Sequence, residues 1–307
     1  MLHQKLPCCH ARFLQKAART DFSSPTAYQQ SSPSRSIFLS MNQNVSIPRS
    51  RHKHAFSLVE LLVVVAVIAL LSTLWFPAMA KAHLKSSGYA AGCLSNLRQL
   101  MIGWSMYKED NHDVLLPNAP AGFAANQTWC GGSSEDWLIS SANTNVNVLL
   151  GSLLAPYVRS NLNIYRCPAD LVPSSNGQRL RSYSMNGQMG AAFNTPNYNA
   201  GFRQYKTTAD LTCPNPQSAF IFADEHPGSI NDGYFQVNCS SASLPSLPAS
   251  YIDGGCGFSF ADGHAEIHKW VTPNFVIPIV QGQTPATIFI PANNADWLWL
   301  VSHTACP

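Results

Sequence analysis

Apolar and polar positions divide the chain into three stretches with different rhythms. From Phe56 to Met79 apolar residues dominate, with Ser57, Glu60, Ser72 and Thr73 as the polar exceptions and an unbroken core from Leu61 to Leu71. A run that is apolar on every side predicts a helix in a lipid-like environment, and 56–79 reaches the roughly 20 residues needed to cross a bilayer. Beyond it the rhythm changes. Cys93, Leu94, Leu97, Leu100, Met101, Trp104 and Tyr107 recur every three or four residues, which makes one apolar stripe on a helix. Ser95, Asn96, Arg98, Gln99 and Lys108 are placed on the opposite side. Asp110-Asn111-His112-Asp113 and then Pro117-Asn118 stop the helix. One helix from Phe56 to about Glu109 would be roughly 80 Å long at 1.5 Å per residue. Its second half, residues 80–110, carries a stripe that needs a packing surface.

That surface is expected in residues 111–307, a stretch rich in Gly, Pro, Asn and Ser with short apolar bursts. Ser218–Ala223 reads as a buried strand. Gly257–Ala261 and Ala265–Trp270 read as two strands joined at Asp262-Gly263, a strong hairpin signal that assigns these two residues a structural turn. Thr287–Ile290 is a weaker strand, and Val148–Leu154 a short helix before Pro156. Pro214, Pro216, Pro245, Pro248, Pro273, Pro278, Pro285 and Pro291 call for long ordered loops. No internal repeat is evident. The predicted fold class is α+β: one long helix packed on a small, loop-rich antiparallel sheet.

Charge sharpens this division. The whole chain is formally +3, but the sign is not uniform. Residues 1–55 hold eight Lys+Arg and one acid, Asp21; residues 56–307 hold eleven Lys+Arg and fifteen Asp+Glu, a formal charge of −4. Nucleic-acid binding therefore loses its main support. Arg49, Arg51 and Lys53 fit the cytoplasmic flank of a membrane span. Residues 1–40 show no helical period and are rich in Ser, Gln and Arg; a start at Met41 would leave a shorter leader of 15 residues, and a transit peptide is the rival reading.

The chain has nine cysteines, seven of them after residue 55, with no CxxC spacing. Zinc-knuckle geometry is absent. One to three disulfides are expected of a body outside the cytoplasm, with connectivity open and buried free thiols as the alternative.

The string Ala55-Phe56-Ser57-Leu58-Val59-Glu60-Leu61-Leu62, followed by the apolar run, resembles the processing site of type IV prepilins and type II secretion pseudopilins. The resemblance implies a pilin-like fold and cleavage by a membrane prepilin peptidase between Ala55 and Phe56. It also implies N-methylation of Phe56, an assembly role for Glu60 at mature position 5, and a helix-kinking proline, Pro77, at position 22. The usual residue before the cut is Gly; Ala55 is a small substitute. A carboxylate inside an apolar helix is costly unless paired, so Glu60 reads as functional, with a snorkelling interfacial Glu as the bland alternative. A secretory signal peptide is the competing reading of the run, since Ala78-Met79-Ala80 fits a cleavage pattern.

Further along, Arg166-Cys167-Pro168-Ala169-Asp170, Ser182-Tyr183-Ser184-Met185-Asn186-Gly187 and Phe258–Glu266 resemble a group of bacterial pseudopilin-like proteins with a C-terminal signature of His, nine residues, then Asp-Gly. The signature position ten before Asp262 is Ile252. His226 with Asp232-Gly233 has the wrong spacing for it.

Candidate chemistry is sparse. His264, Glu266 and His268 alternate and would share one strand face, either as metal ligands or as a polar edge. Asp224, Glu225, Asp232, Asp253 and Asp262 form a loose acidic set suited to calcium, without the spacing of a calcium loop. No other cofactor is implied. There is no G-x-S-x-G, HExxH or P-loop, so no enzyme is expected. Trp104, Trp129, Trp137, Trp270, Trp297 and Trp299 are either packing residues or stacking platforms. The sequence thus predicts a structural, filament-forming subunit of the inner membrane. Its N-terminus would lie in the cytoplasm and its body outside, and its partners would be prepilin peptidase and other pilin-like subunits. The second reading is a membrane-tethered binding module that does not polymerise.

Overall fold

The structure, a computed structural model, describes residues 57–307 apart from 133, 192–194 and 286, and without the side chains of 72–85. The leader, Ala55 and Phe56 lie outside the described residues. Leu58–Pro307 forms one unit.

Helix α1 runs from Leu58 to Asp110, 53 residues. The chain turns away just beyond it, where His112 and Asp113 take positive φ of 52° and 65°, a conformation tolerated by His and Asp better than by most residues. Two short helices follow much later, α2 (Val146–Leu150) and α3 (Ala295–Thr304). The strands are β1 (Tyr183–Asn186), β2 (Phe220–Asp224), β3 (Tyr234–Phe235), β4 (Ser243–Leu244), β5 (Gly255–Phe260), β6 (Ala265–Lys269) and β7 (Ile288–Phe289). The main sheet has the order β3-β1-β2-β5-β6, and β4 pairs with β7 separately. The protein is α+β as expected, but the sheet is mixed rather than purely antiparallel. β3 runs parallel to β1, Met185 opposite Tyr234, because the segment after β2 returns to the far edge of β1.

β5 and β6 form the predicted hairpin, Phe258 opposite Glu266 and Cys256 opposite His268. Its turn needs a residue with positive φ, which Gly263 supplies at 97°. Asp262 Oδ1 accepts a bond from the His264 backbone N–H, 3.1 Å.

The sheet separates two apolar clusters. One lies under α1 and contains Leu97, Leu100, Trp104, Trp129, Tyr165, Tyr183, Met185, Ile221 and Phe222. The other contains Phe220, Phe235, Phe258, Phe260, Trp270, Phe275, Trp297 and Leu300. Strand β2 is buried along its whole length and feeds both clusters. A register shift between Phe220 and Phe222 breaks its alternation, as a bulge does, and puts Ile221 and Phe222 on the same side.

The predicted membrane span, residues 56–79, lies partly outside the described residues. No helix among them is long and apolar enough to cross a membrane. Phe56 and the side chains of 72–85 lie outside the description, Pro77 among them. Its position falls within α1.

Candidate assembly site

α1 presents two contrasting halves. From Leu58 to Leu71 every residue is exposed, including Leu58, Leu61, Leu62, Val63, Ile68 and Leu70. The exposure is all round, so the apolar surface has no face turned to the body. Glu60 sits exposed in the first turn, where a carboxylate also complements the positive end of the helix dipole.

The second half is clamped. Cys93, Leu97, Leu100, Met101, Trp104 and Tyr107 are buried, the stripe read from the sequence. The approach is close enough to need glycine on both partners. A Cβ on Gly103 would fall 2.6 Å from Val158 Cγ1, and one on Gly257 of β5 would fall 2.9 Å from Leu97 Cδ1. A disulfide joins Cys93 to Cys167, Cα–Cα 4.7 Å. Beside it the Tyr183 hydroxyl donates to the Cys93 carbonyl, 3.2 Å. Asn96, which the sequence placed on the outer face, instead donates to the Arg166 carbonyl at 2.8 Å and the Asn163 carbonyl at 3.3 Å. Its amide reaches the body although it is polar, which apolar periodicity alone cannot foresee.

The motifs at 166–170 and 182–187 meet behind this clamp in a buried polar network. Asp170 accepts from Arg179 Nη2 at 3.2 Å, both side chains buried. Ser182 Oγ accepts from the Cys167 N–H and donates to Asp224 Oδ1 at 2.9 Å. Ser184 donates to Glu225, and Arg181 Nη1 donates to Ser184 Oγ at 3.0 Å. Arg181 Nη2 lies 3.5 Å from Glu135. Asn186 donates to the carbonyls of Phe220 and Thr304, tying β1 to β2 and α3. Burial pushes Glu225 up to about 7 and Glu135 up to about 7, and the Arg181 guanidinium beside each only partly offsets it. Asp170 is also raised by burial.

Each member of the acidic set has its own surroundings. Asp224 and Glu225 are fully buried in the network above. Asp232 accepts from the backbone N–H groups of Ala121 and Tyr234. Asp253 is exposed, 3.9 Å from Lys269 Nζ, and Asp262 pairs with His264 at 2.6 Å in its turn. The structure does not gather the five into one site. His226 is buried and held down to about 4 by desolvation, and Ile252 is an apolar core residue. His264 stacks on Phe260 at 4.3 Å, and His268 on Trp299 at 3.7 Å. Among the described residues the one trio of metal-type ligand atoms within 4.8 Å is Cys93, Cys167 and Asp224, and its two sulfurs are bonded to each other. Trp104, Trp129, Trp137, Trp270 and Trp297 are buried. Trp299 is half-buried between His268 and His303.

An exposed apolar helix with a carboxylate in its first turn is a surface that needs a partner. Residues 50–76 match the prokaryotic N-terminal methylation motif. This supports a prepilin-like chain that is processed by prepilin peptidase and held in the cell envelope. The match includes Ala55, Phe56 and Glu60 and stops one residue before Pro77. No curated protein and no solved structure matches the chain. The prepilin-like segment therefore carries a body whose residues have to be read on their own terms. There, Arg179, Arg181, Glu135 and Tyr251 were missed from the sequence. The available signal was the scarcity of charge: at 11% charged residues, two arginines two apart in a strand-like stretch stand out.

Proposed function

We propose that this prepilin-like protein is a structural subunit of a type II secretion or type IV pilus-like filament. It is cut between Ala55 and Phe56, methylated on the Phe56 amino group, and polymerised through the first half of α1. The methylation motif at 50–76 carries this reading, and the all-round exposure of 58–71 supports it. In the membrane, residues 56–79 form the anchor, with the body on the far side. On assembly the incoming amino group of Phe56 pairs with Glu60 of a neighbour, which removes much of the cost of two charges in a dry helical core and fixes register. The buried body network has a holding role in this reading. Neither metal nor catalytic chemistry is assigned to it.

A tethered binding module that never polymerises is the second reading. Open grooves of about 510 and 560 Å³ beside α1, lined by Asn96, Arg166 and Gln178 and by Ile102, Met106 and Tyr157, favour it. Assembly, in the unaltered chain and in Glu60→Ala, separates the two. For a filament subunit, the variant enters the membrane fraction at wild-type level but is lost from sheared filaments or from the assembled secretion complex. Absence of the unaltered chain itself from sheared filaments and from any assembled complex supports the tethered module, and unchanged assembly in Glu60→Ala removes the Glu60 pairing from the filament reading.

A further inference from the structure

Two grooves follow one another along the clamped half of α1. Asn96 lines the first and Gln99, Ile102 and Met106 the second, while residues 161–164 contribute to both. From Asn96 to Met106 is about 15 Å at 1.5 Å per residue. The volumes, about 510 and 560 Å³, fall in the range of ligand sites. The trough is open to solvent: Gln99, Arg159 and Asn163 are exposed, and Tyr157, Arg166 and Gln178 are half-buried.

Its charge is one-sided. Arg166 lines the first groove and Arg159 the second, and no carboxylate lines either. Among the described residues neither arginine forms an ion pair, although residues 56–307 are acidic overall. Arg166 Nη1 is steadied by the Arg179 carbonyl at 3.4 Å. Arg159 and Ser160 stand at φ of 51° and 55°, a conformation uncommon outside glycine that persists only where its surroundings fix it. Here the Ser160 N–H donates to the Ala155 carbonyl at 2.9 Å and the Asn161 N–H to the Val158 carbonyl at 3.0 Å. Arg159 is therefore presented on a held turn.

The remaining polar groups are amides, which donate and accept as sugar hydroxyls do. The Asn163 side chain is unbonded among the described residues. Asn96 and Gln178 spend only their N–H groups, on the Arg166 and Asp170 carbonyls, and keep a free side-chain oxygen. Ile102, 60% exposed, and Met106, 46% exposed, give the second groove an apolar floor beside Tyr157. The walls are a helix and the 3-10 turns Ala155–Val158 and Leu162–Tyr165, so the trough has no strand edge by which an extended peptide is held.

We propose that this trough binds an acidic polysaccharide, a uronate-bearing glycan. Its carboxylates pair with Arg159 and Arg166, its hydroxyls meet Asn96, Asn163 and Gln178, and its ring faces lie on Ile102 and Met106. The site belongs to the body alone. It serves a filament subunit and a tethered module alike, and its failure leaves the processing at Phe56 untouched.

The test titrates the full chain in detergent calorimetrically with polygalacturonate fragments, with dextran and poly-glutamate of similar length as comparisons. Polygalacturonate should bind, dextran should give no heat, and poly-glutamate should bind about tenfold more weakly or worse. Asn163→Asp, which puts a carboxylate into the first groove, should weaken polygalacturonate about tenfold, and Arg159→Gln about fivefold. Both altered side chains are exposed, so the fold is not at stake. Lys206→Gln, an exposed cation outside the trough, should leave the affinity unchanged. Absence of polygalacturonate binding overturns the proposal, as do unchanged affinities in Asn163→Asp and Arg159→Gln, or an equal loss in Lys206→Gln. Poly-glutamate binding as tightly as polygalacturonate assigns the trough to acidic peptides and overturns the glycan.

Discussion

The two halves of α1 are one continuous helix in two environments. Residues 58–71 are apolar apart from Glu60 and exposed on all sides, whereas residues 93–107 bury one stripe and leave Ser95, Arg98 and Gln99 outside. A stripe is solved within the chain, by a sheet and two 3-10 turns laid against it. All-round apolarity cannot be solved within this body, because no single packing surface covers a whole helix. The first half therefore leaves its apolar surface outside the body, where the proposed function puts a membrane or neighbouring subunits, and the second converts its own into body stability.

The largest test of this contrast pairs two truncations. Trp104→Ala should cost the body about 3–5 kcal/mol, since Trp104 is fully buried and the cavity adds to the lost transfer energy. Leu62→Ala, exposed by 63%, should change it by less than about 0.5 kcal/mol. Chemical denaturation of the two variants gives both values, and similar losses would erase the distinction. Next comes the latch. Cys93→Ala with Cys167→Ala should lower stability by about 2–4 kcal/mol through the 74-residue separation it no longer constrains, and hydrogen exchange should show residues 93–107 opening before the sheet.

The network behind the latch gives a pH test of similar or smaller size. Glu225 has a folded pKa raised to about 7, so the folded state binds more protons than the unfolded chain between about pH 4.5 and 7. Its contribution is complete below that window and is lost as pH rises through 7. His226 has the opposite sign: its folded value is lowered to about 4, so stability falls as pH drops from 6.5 toward 4. The unfolding free energy should therefore be higher near pH 6 than at pH 8. Glu225→Gln should flatten that fall by an amount on the order of 1–3 kcal/mol; a slope that persists unchanged would remove Glu225 from the account. A smaller effect is expected of Gly257→Ala, about 1–2 kcal/mol, because Leu97 Cδ1 must move from a contact of 2.9 Å. Gly88→Ala, which meets nothing within 4 Å, should be neutral or stabilising.

What could be read in the sequence follows the same physics. The helix, its stripe and the Asp262-Gly263 hairpin are periodic signals, local enough to be visible in a single chain. The Cys93–Cys167 and Cys213–Cys306 pairings are not, because each closes a separation of 74 or 93 residues. Strand β1 was noticed in Ser182–Gly187 only as a resemblance. Its serines look like loop residues until Asp224, Glu225 and Arg181 bond them, and its asparagine until the Phe220 and Thr304 carbonyls accept from it. α3 was missed for a related reason. Its buried positions Asp296, Trp297, Leu300 and Thr304 include two polar residues, and Asp296 is buried because it accepts from the Val271 and Thr272 N–H groups and the Thr272 hydroxyl. Polar residues satisfied at long range are invisible to hydrophobic patterning.

The assignment of the exposed half turns on one processing event. The protein recovered from a membrane that contains prepilin peptidase can be digested and its N-terminal peptide measured by mass spectrometry. The account predicts a chain that begins at Phe56 and carries one methyl group on its amino nitrogen. A chain that begins after Ala80, or one that retains residues N-terminal to Phe56, contradicts it.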